Sequence, residues 1–213
     1  MVSSKNLSLC VTAGTASSEK IVDILTEEQM QIIEQFPAKA NTKVQLRDAA
    51  MVMLSLKMGL RASDVIHLCF ENIDWQNQTN TIVQYKTKVE LTLPMPTSVG
   101  NAIYSYLKYA RPVCSSNYVF VRHRAPYGPL TGKLCTNALH RIVPERKMVK
   151  GGGFHVTRRT FATSILRNGY GSNRVMGTLG HTDSTSVMKY LSMDEESMSK
   201  CPLSLSELTL SAL

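Results

Sequence analysis

The sequence predicts an α+β domain that is mostly helical and carries one small three-stranded antiparallel sheet. Two observations predict this. Apolar residues recur at helical spacing along most of the chain, and residues 70–95 break that rhythm with short β-prone runs separated by Asn, Asp and Gln. A third sets the scale: 213 residues, 43% of them hydrophobic, suffice for one substantial core and a short appendage. The expected organisation is a flexible tail or linker over 1–24, the main domain over 25–200, and a C-terminal tail over 201–213.

The elements are expected in this order. Residues 1–24 are rich in Ser, Thr and Lys and show no period, which suits a tail. Thr26-Glu27-Glu28-Gln29 reads as a capping box that opens a helix running to about Phe36. A second helix is expected over 43–58, with Leu46, Ala50, Met53 and Leu54 on one side and Gly59 as a left-handed cap. Strands are expected near 70–74, 80–85 and 90–94. Val99, Ile103, Tyr106, Leu107 and Ala110 then mark a helix stopped by Pro112, and a further helix covers about 132–142. The remainder, to about residue 200, reads as short helices punctuated by Gly169, Gly177 and Gly180. The leucines of "CPLSLSELTLSAL" are spaced for burial, on this domain or on a neighbouring copy.

Charge narrows the function. The net charge is +8, but residues 108–174 alone carry thirteen Lys/Arg against the one acid Glu145, a net +12. A field concentrated in one third of the chain points to a polyanion. No run of 18 apolar residues exists, and the N-terminus lacks the apolar stretch of a secretion signal, so a cytoplasmic protein with no membrane partner is expected. The five cysteines, at 10, 69, 114, 135 and 201, are odd in number and widely spaced, which argues against a disulfide framework and a zinc knuckle.

Within the basic third stands "GGGFHVTRRTFAT". His155 and Arg158, at i and i+3, share one helical face and, at a first turn, share it with free backbone N–H groups that suit an anion. The preceding Gly151–Gly153 is not followed by Gly-Lys-Ser/Thr, so it reads as a hinge rather than a phosphate loop. His67 and His140 read as structural, as does Tyr170, and Tyr104, Tyr106 and Tyr109 belong to an amphipathic helix.

The wider stretch resembles the last third of the tyrosine recombinases, the family of phage integrases and Xer-type recombinases. Its marks are His155-x-x-Arg158 at a helix start, Thr160-Phe161-Ala162-Thr163, then Leu179-Gly180-His181, then Tyr190 nine residues after that histidine. Upstream, "MGLRASDVIHL" is similar to the family's segment around its first arginine, here Arg61, and "YKTKVELTLPMP" to its hairpin lysine, here Lys86. Lys88 is the rival for that position, since strand alternation would put both lysines on one face.

The resemblance implies the tyrosine-recombinase catalytic fold and six catalytic residues: Arg61, Lys86, His155, Arg158, His181 and Tyr190. The chemistry needs these types. A phosphodiester repels nucleophiles, and two guanidiniums can fork onto its non-bridging oxygens as charge develops. Imidazoles titrate near neutrality and can move protons. A phenol with a pKa of about 10 needs help to become a nucleophile. The resemblance makes His155 the main base and Lys86 the donor to the departing 5′-oxygen. It implies a 3′-phosphotyrosyl link, with no cofactor and no metal because the arginines take the role of metal ions.

The implied partner is double-stranded DNA, bound by a homotetramer on synapsed sites. Arg122, Arg124, Arg141 and Arg159 are the expected DNA-backbone contacts. Two rivals share the residue set: a type IB topoisomerase that relaxes supercoils, and a non-catalytic DNA-binding relative. Three departures stand out. Thr157 replaces the usual Leu inside the His/Arg box, Asp64 replaces the commoner Glu, and only about 25 residues precede the first helix, where the family carries a DNA-gripping domain. The expectation is an isolated catalytic domain, or one whose partner module is missing or supplied by another protein.

Overall fold

Helix α2 (Lys43–Met58) is the axis about which the other elements gather. Thr42 starts it, its hydroxyl accepting from the Gln45 N–H at 3.2 Å while Gln45 returns the bond to the Thr42 N–H at 3.1 Å. The computed structural model describes residues 23–169 and 177–180. Within it α2 packs against α1 (Glu27–Lys39), α4 (Thr97–Tyr109), α5 (Gly132–Ile142) and α6 (His155–Arg167). Every residue from Arg47 to Leu56 is buried, so the one apolar side read from sequence becomes burial all round. A helix surrounded by others must be apolar on every face, and Met51, Val52 and Leu56 supply the second side.

Gly59 ends α2 in the left-handed conformation, φ 69°, with its N–H on the Ser55 carbonyl at 2.9 Å. A Cβ there would also collide with Phe161 and Leu179, so backbone angle and space both demand glycine. The cap releases the chain into α3 (Ala62–Ile66), and Arg61 stands at its start.

The capping box of Thr26 and Gln29 forms as expected, but α1 runs past Phe36 to Lys39 with Pro37 inside. The φ of proline is helical, and near a C-terminus the turn continues without its N–H. Residues just before α1 are already docked. The Leu25 N–H donates to Thr160 Oγ1 at 2.9 Å, and the Asp23 carboxylate pairs with the buried Arg146.

The sheet is an antiparallel meander of β1 (Ile73–Asp74), β2 (Thr79–Val83) and β3 (Glu90–Pro94), with Asn80 opposite Leu93 and Ile82 opposite Leu91. Two strands are shorter than expected. Residues 70–72 form a 3₁₀ turn, fastened by the Cys69 N–H on Asn72 Oδ1 at 2.8 Å. Residues 85–87 turn rather than extend, so neither Lys86 nor Lys88 lies on a strand and their expected common face does not exist. Lys88 adopts φ 58°, and its ammonium rests 4.7 Å from the centre of the Tyr85 ring.

The expected helices α4 and α5 are present. Val99, Ile103, Tyr106 and Ala110 are buried, whereas Tyr104 and Tyr109 are exposed. His67 fits the structural reading: its Nδ1 lies 2.7 Å from the Ser63 carbonyl and its ring stacks on Tyr85. His140 Nε2 lies 3.1 Å from the Gly152 carbonyl. Gly152 is buried, and a Cβ there would collide with the Arg146 carbonyl, so close packing accounts for glycine at that point of the triple. Among the described residues, Cys69, Cys114 and Cys135 are free thiols. No described helix is long and apolar enough to cross a membrane.

Candidate active site

Three separate stretches converge here: the α2–α3 corner with Arg61, the β2–β3 turn with Lys86, and the start of α6 with His155 and Arg158. Each is held by short polar contacts. The Arg61 N–H donates to Asp64 Oδ2 at 3.2 Å, and Asp64 Oδ1 accepts from the Tyr85 N–H at 3.1 Å. Asp64 is buried, so one short carboxylate stitches the arginine's backbone to the turn that carries Lys86. This accounts for aspartate where the family more often has glutamate.

Thr157 in the His/Arg box has its own account. Its hydroxyl lies 2.7 Å from the Phe154 carbonyl and 2.6 Å from Ser55 Oγ, which lies 2.8 Å from the Leu60 carbonyl; with one proton each, one hydroxyl donates across the pair and the other to its carbonyl. A leucine could make none of these contacts. The two buried hydroxyls rivet the first turn of α6, which bears His155 and Arg158, to the corner that bears Arg61.

Arg158 is 1% exposed. Its Nη1 donates to the Gly59 carbonyl at 2.5 Å and its Nη2 to the Leu179 carbonyl at 2.8 Å. Arg61 Nη1 donates to the amide oxygen of Gln84 at 2.7 Å. Sequence reasoning missed Gln84. The signal was there in strand parity, which turns Asn80, Ile82 and then Gln84 inward.

His155 opens α6 and retains an exposed side. Its pKa is nevertheless pushed down to about 4, first by burial and then by the positive charges of Arg158, Arg159, Arg61 and Lys86. Hydrogen bonds bring the groups together: Arg61 reaches Gln84, whose amide and Arg158 both meet the Leu179 carbonyl, Lys86 sits in the turn closed by the Gln84 backbone, and His155 lies one turn before Arg158 on α6, where all of these positive charges act on it. At neutral pH the ring is uncharged and able to accept a proton.

His181 and Tyr190 lie outside the described residues, as do Tyr170 and the 201–213 tail. The last described turn, Leu179–Gly180, ends beside Gln84.

The four expected backbone-contact arginines differ in their surroundings. Arg122 and Arg124 are exposed, Arg122 using Nε on the Pro129 carbonyl at 3.1 Å. Arg141 Nε sits 2.5 Å from Oδ2 of the buried Asp48, which also pairs with Arg47 at 3.1 Å. Arg159 reaches the Gly151 carbonyl at 3.3 Å and Asp23 at 3.9 Å.

The sequence pattern of the phage integrase family matches residues 23–197, most of the chain. The chain belongs to that family. As a phage integrase family member it has the catalytic-domain fold of the tyrosine recombinases, and its class is that of an enzyme for site-specific DNA cleavage and rejoining. A putative integrase/recombinase of Sinorhizobium fredii, y4gC, is 31% identical over 183 residues, covering 85% of this chain and 95% of that protein. The tyrosine recombinase XerC of Staphylococcus aureus is 25% identical over 174 residues, covering 82% of this chain but 58% of XerC. Among solved structures, XerA recombinase superposes with a TM-score of 0.69 at 20% identity, covering 85% of this chain and 64% of XerA. XerH bound to its palindromic difH substrate gives 0.71 at 17% identity, covering 91% of this chain and 56% of XerH. The integrase-family chain thus spans less than two thirds of XerC, XerA and XerH. These matches are recombinases, which does not favour the relaxation activity raised from sequence.

Proposed function

We propose that the chain cuts and rejoins double-stranded DNA by phosphoryl transfer to Tyr190. The observation that carries this is the hydrogen-bonded convergence of Arg61, the Lys86 turn and the start of α6, with His155 and Arg158, at Gln84 and the Leu179 carbonyl. A phosphodiester there meets guanidiniums that stabilise charge on its non-bridging oxygens as attack proceeds. His155, neutral before DNA arrives, takes the phenolic proton of Tyr190. The phenolate oxygen bonds to phosphorus, the bond from phosphorus to the 5′-oxygen breaks, and Lys86 gives that oxygen its proton. His181 adds a hydrogen bond to the phosphate. The reverse steps rejoin the strand, since the phosphotyrosyl link conserves the bond energy.

Lys86 is favoured over Lys88 because Lys86 contributes to the field at His155, whereas Lys88 is occupied by the Tyr85 ring. Arg158 is nearly enclosed and braced by the Gly59 and Leu179 carbonyls, so its charge is held in place beside His155. Arg122 and Arg124 are the freest backbone contacts. Arg141 and Arg159 join them with the donors left over from Asp48 and Gly151. The partner is duplex DNA, as XerH is bound to its difH substrate. The same reading has four protomers on two synapsed sites, the 201–213 tail docking in trans, and the protein working in the cytoplasm.

The test is a pool of nicked suicide duplexes tiling the DNA beside the chain's own coding sequence, incubated with protein and run on a denaturing gel. A covalent adduct is expected, and Tyr190→Phe should abolish it. No adduct from any duplex, or an adduct that survives Tyr190→Phe, overturns the reading.

A further inference from the structure

One side chain outside the catalytic set touches three of its supports. Gln84 is fully buried at the end of β2. Its Oε1 accepts from Arg61 Nη1 at 2.7 Å and from Thr87 Oγ1 at 2.5 Å, and its Nε2 donates to the Leu179 carbonyl at 2.8 Å. That carbonyl is the one Arg158 Nη2 also reaches. The Gln84 backbone closes the turn around Lys86, its N–H on the Val89 carbonyl at 2.9 Å and its carbonyl accepting from the Lys88 N–H at 2.8 Å.

We propose that Gln84 is a positioning residue that fixes Arg61, the Lys86 turn and the Leu179–Gly180 turn relative to one another for phosphoryl transfer. This rests on the strand-transfer reading above. The chemistry of the site asks for an amide. Arg61 can only donate and the Leu179 carbonyl can only accept, so the bridging group must accept at one end and donate at the other, and this also decides which way the amide faces. Methionine does neither. An ionised glutamate accepts but cannot donate. Gly180 fits the same logic. Its φ is +59°, and a Cβ there would lie 2.7 Å from Gln84 Oε1, so glycine lets the amide come against the backbone that leads to His181. In a buried site each such bond is strengthened by its neighbours, and losing one partner strands the rest.

The test uses the full chain and the suicide duplex it cleaves fastest, with single-turnover cleavage, duplex binding and melting temperature measured together. Gln84→Met should cleave about 100-fold more slowly, the cost of a misplaced reacting group, while duplex binding stays near wild type. Gln84→Glu has the same shape and should also be slow while ionised. Its rate relative to wild type should rise only as pH falls toward the ordinary glutamate range, from about 6 to about 4, because a protonated carboxyl can again donate to Leu179 and accept from Arg61. A residue that only fills space would not produce that pH-dependent recovery. Wild-type cleavage with undiminished rates in both variants overturns the role of Gln84 and leaves the strand-transfer reading intact. That role is equally overturned if Gln84→Glu shows no recovery, or if neither variant folds, which would make Gln84 part of the core. No adduct from wild type overturns the strand-transfer reading itself.

Discussion

His155 sits among Arg158, Arg159, Arg61 and Lys86 with its pKa lowered from 6.5 to about 4, and two consequences follow from the sign. The folded chain resists protonation that the unfolded chain accepts. Stability from this group is therefore complete above about pH 6.5 and is lost as pH falls toward 4. His123, lowered in the same direction chiefly by burial and then by Arg47, adds to that slope. Denaturant melts across this range should show His155→Gln with a shallower acid loss than wild type. Bound phosphate places negative charge against the ring, so an NMR titration with duplex present should return the His155 pKa toward its ordinary value. An unchanged value would mean the phosphate does not enter this pocket.

Between elements, the contact of α2 with α6 depends on two hydroxyls. Ser55 and Thr157 are both fully buried and 2.6 Å apart. Removing either one breaks the hydrogen bond between them while the survivor keeps its own backbone carbonyl, so Ser55→Ala and Thr157→Val should each destabilise by about 1 kcal/mol. The double variant should cost less than the two single costs added together, because the bond they share is lost only once. Urea unfolding of the four proteins measures the coupling, and strict additivity would show that the rivet is not one unit. The same contact explains why a leucine at 157 is not needed for a well-placed box. The polar pair supplies an alternative way of seating α6 beside Arg61.

For the molecule as a whole, the governing quantity is charge. Residues 108–174 carry a net +12 within a chain whose total is +8, so duplex binding should weaken steeply with salt. The slope of log affinity against log salt is about −0.9 for each phosphate neutralised. Arg124→Ala should reduce its magnitude by about 1. Arg141→Ala should reduce it less, because the Arg141 Nε already serves Asp48. Fluorescence anisotropy over a salt series separates these outcomes, and equal slopes for both variants would reject the ranking.

Local chemistry made much of this legible from residues alone. The capping box at Thr26, the left-handed Gly59 and the extents of α2 and α5 are decided within a few residues of chain, so sequence determined them. The family motifs likewise singled out Arg61, Lys86, His155 and Arg158 as candidates, and folding brings their elements together. Sequence misjudged the first strand and the lysine pair because turns at 70–72 and 85–87 are held by side chains and backbone brought from elsewhere, as Asp64 holds Tyr85. Gln84, Asp64 and the Ser55–Thr157 pair are ordinary polar residues in one dimension. They acquire meaning only when folding buries them opposite Arg61, Leu179 and one another, since a polar group shut away from water must find its partner wherever the tertiary structure provides one.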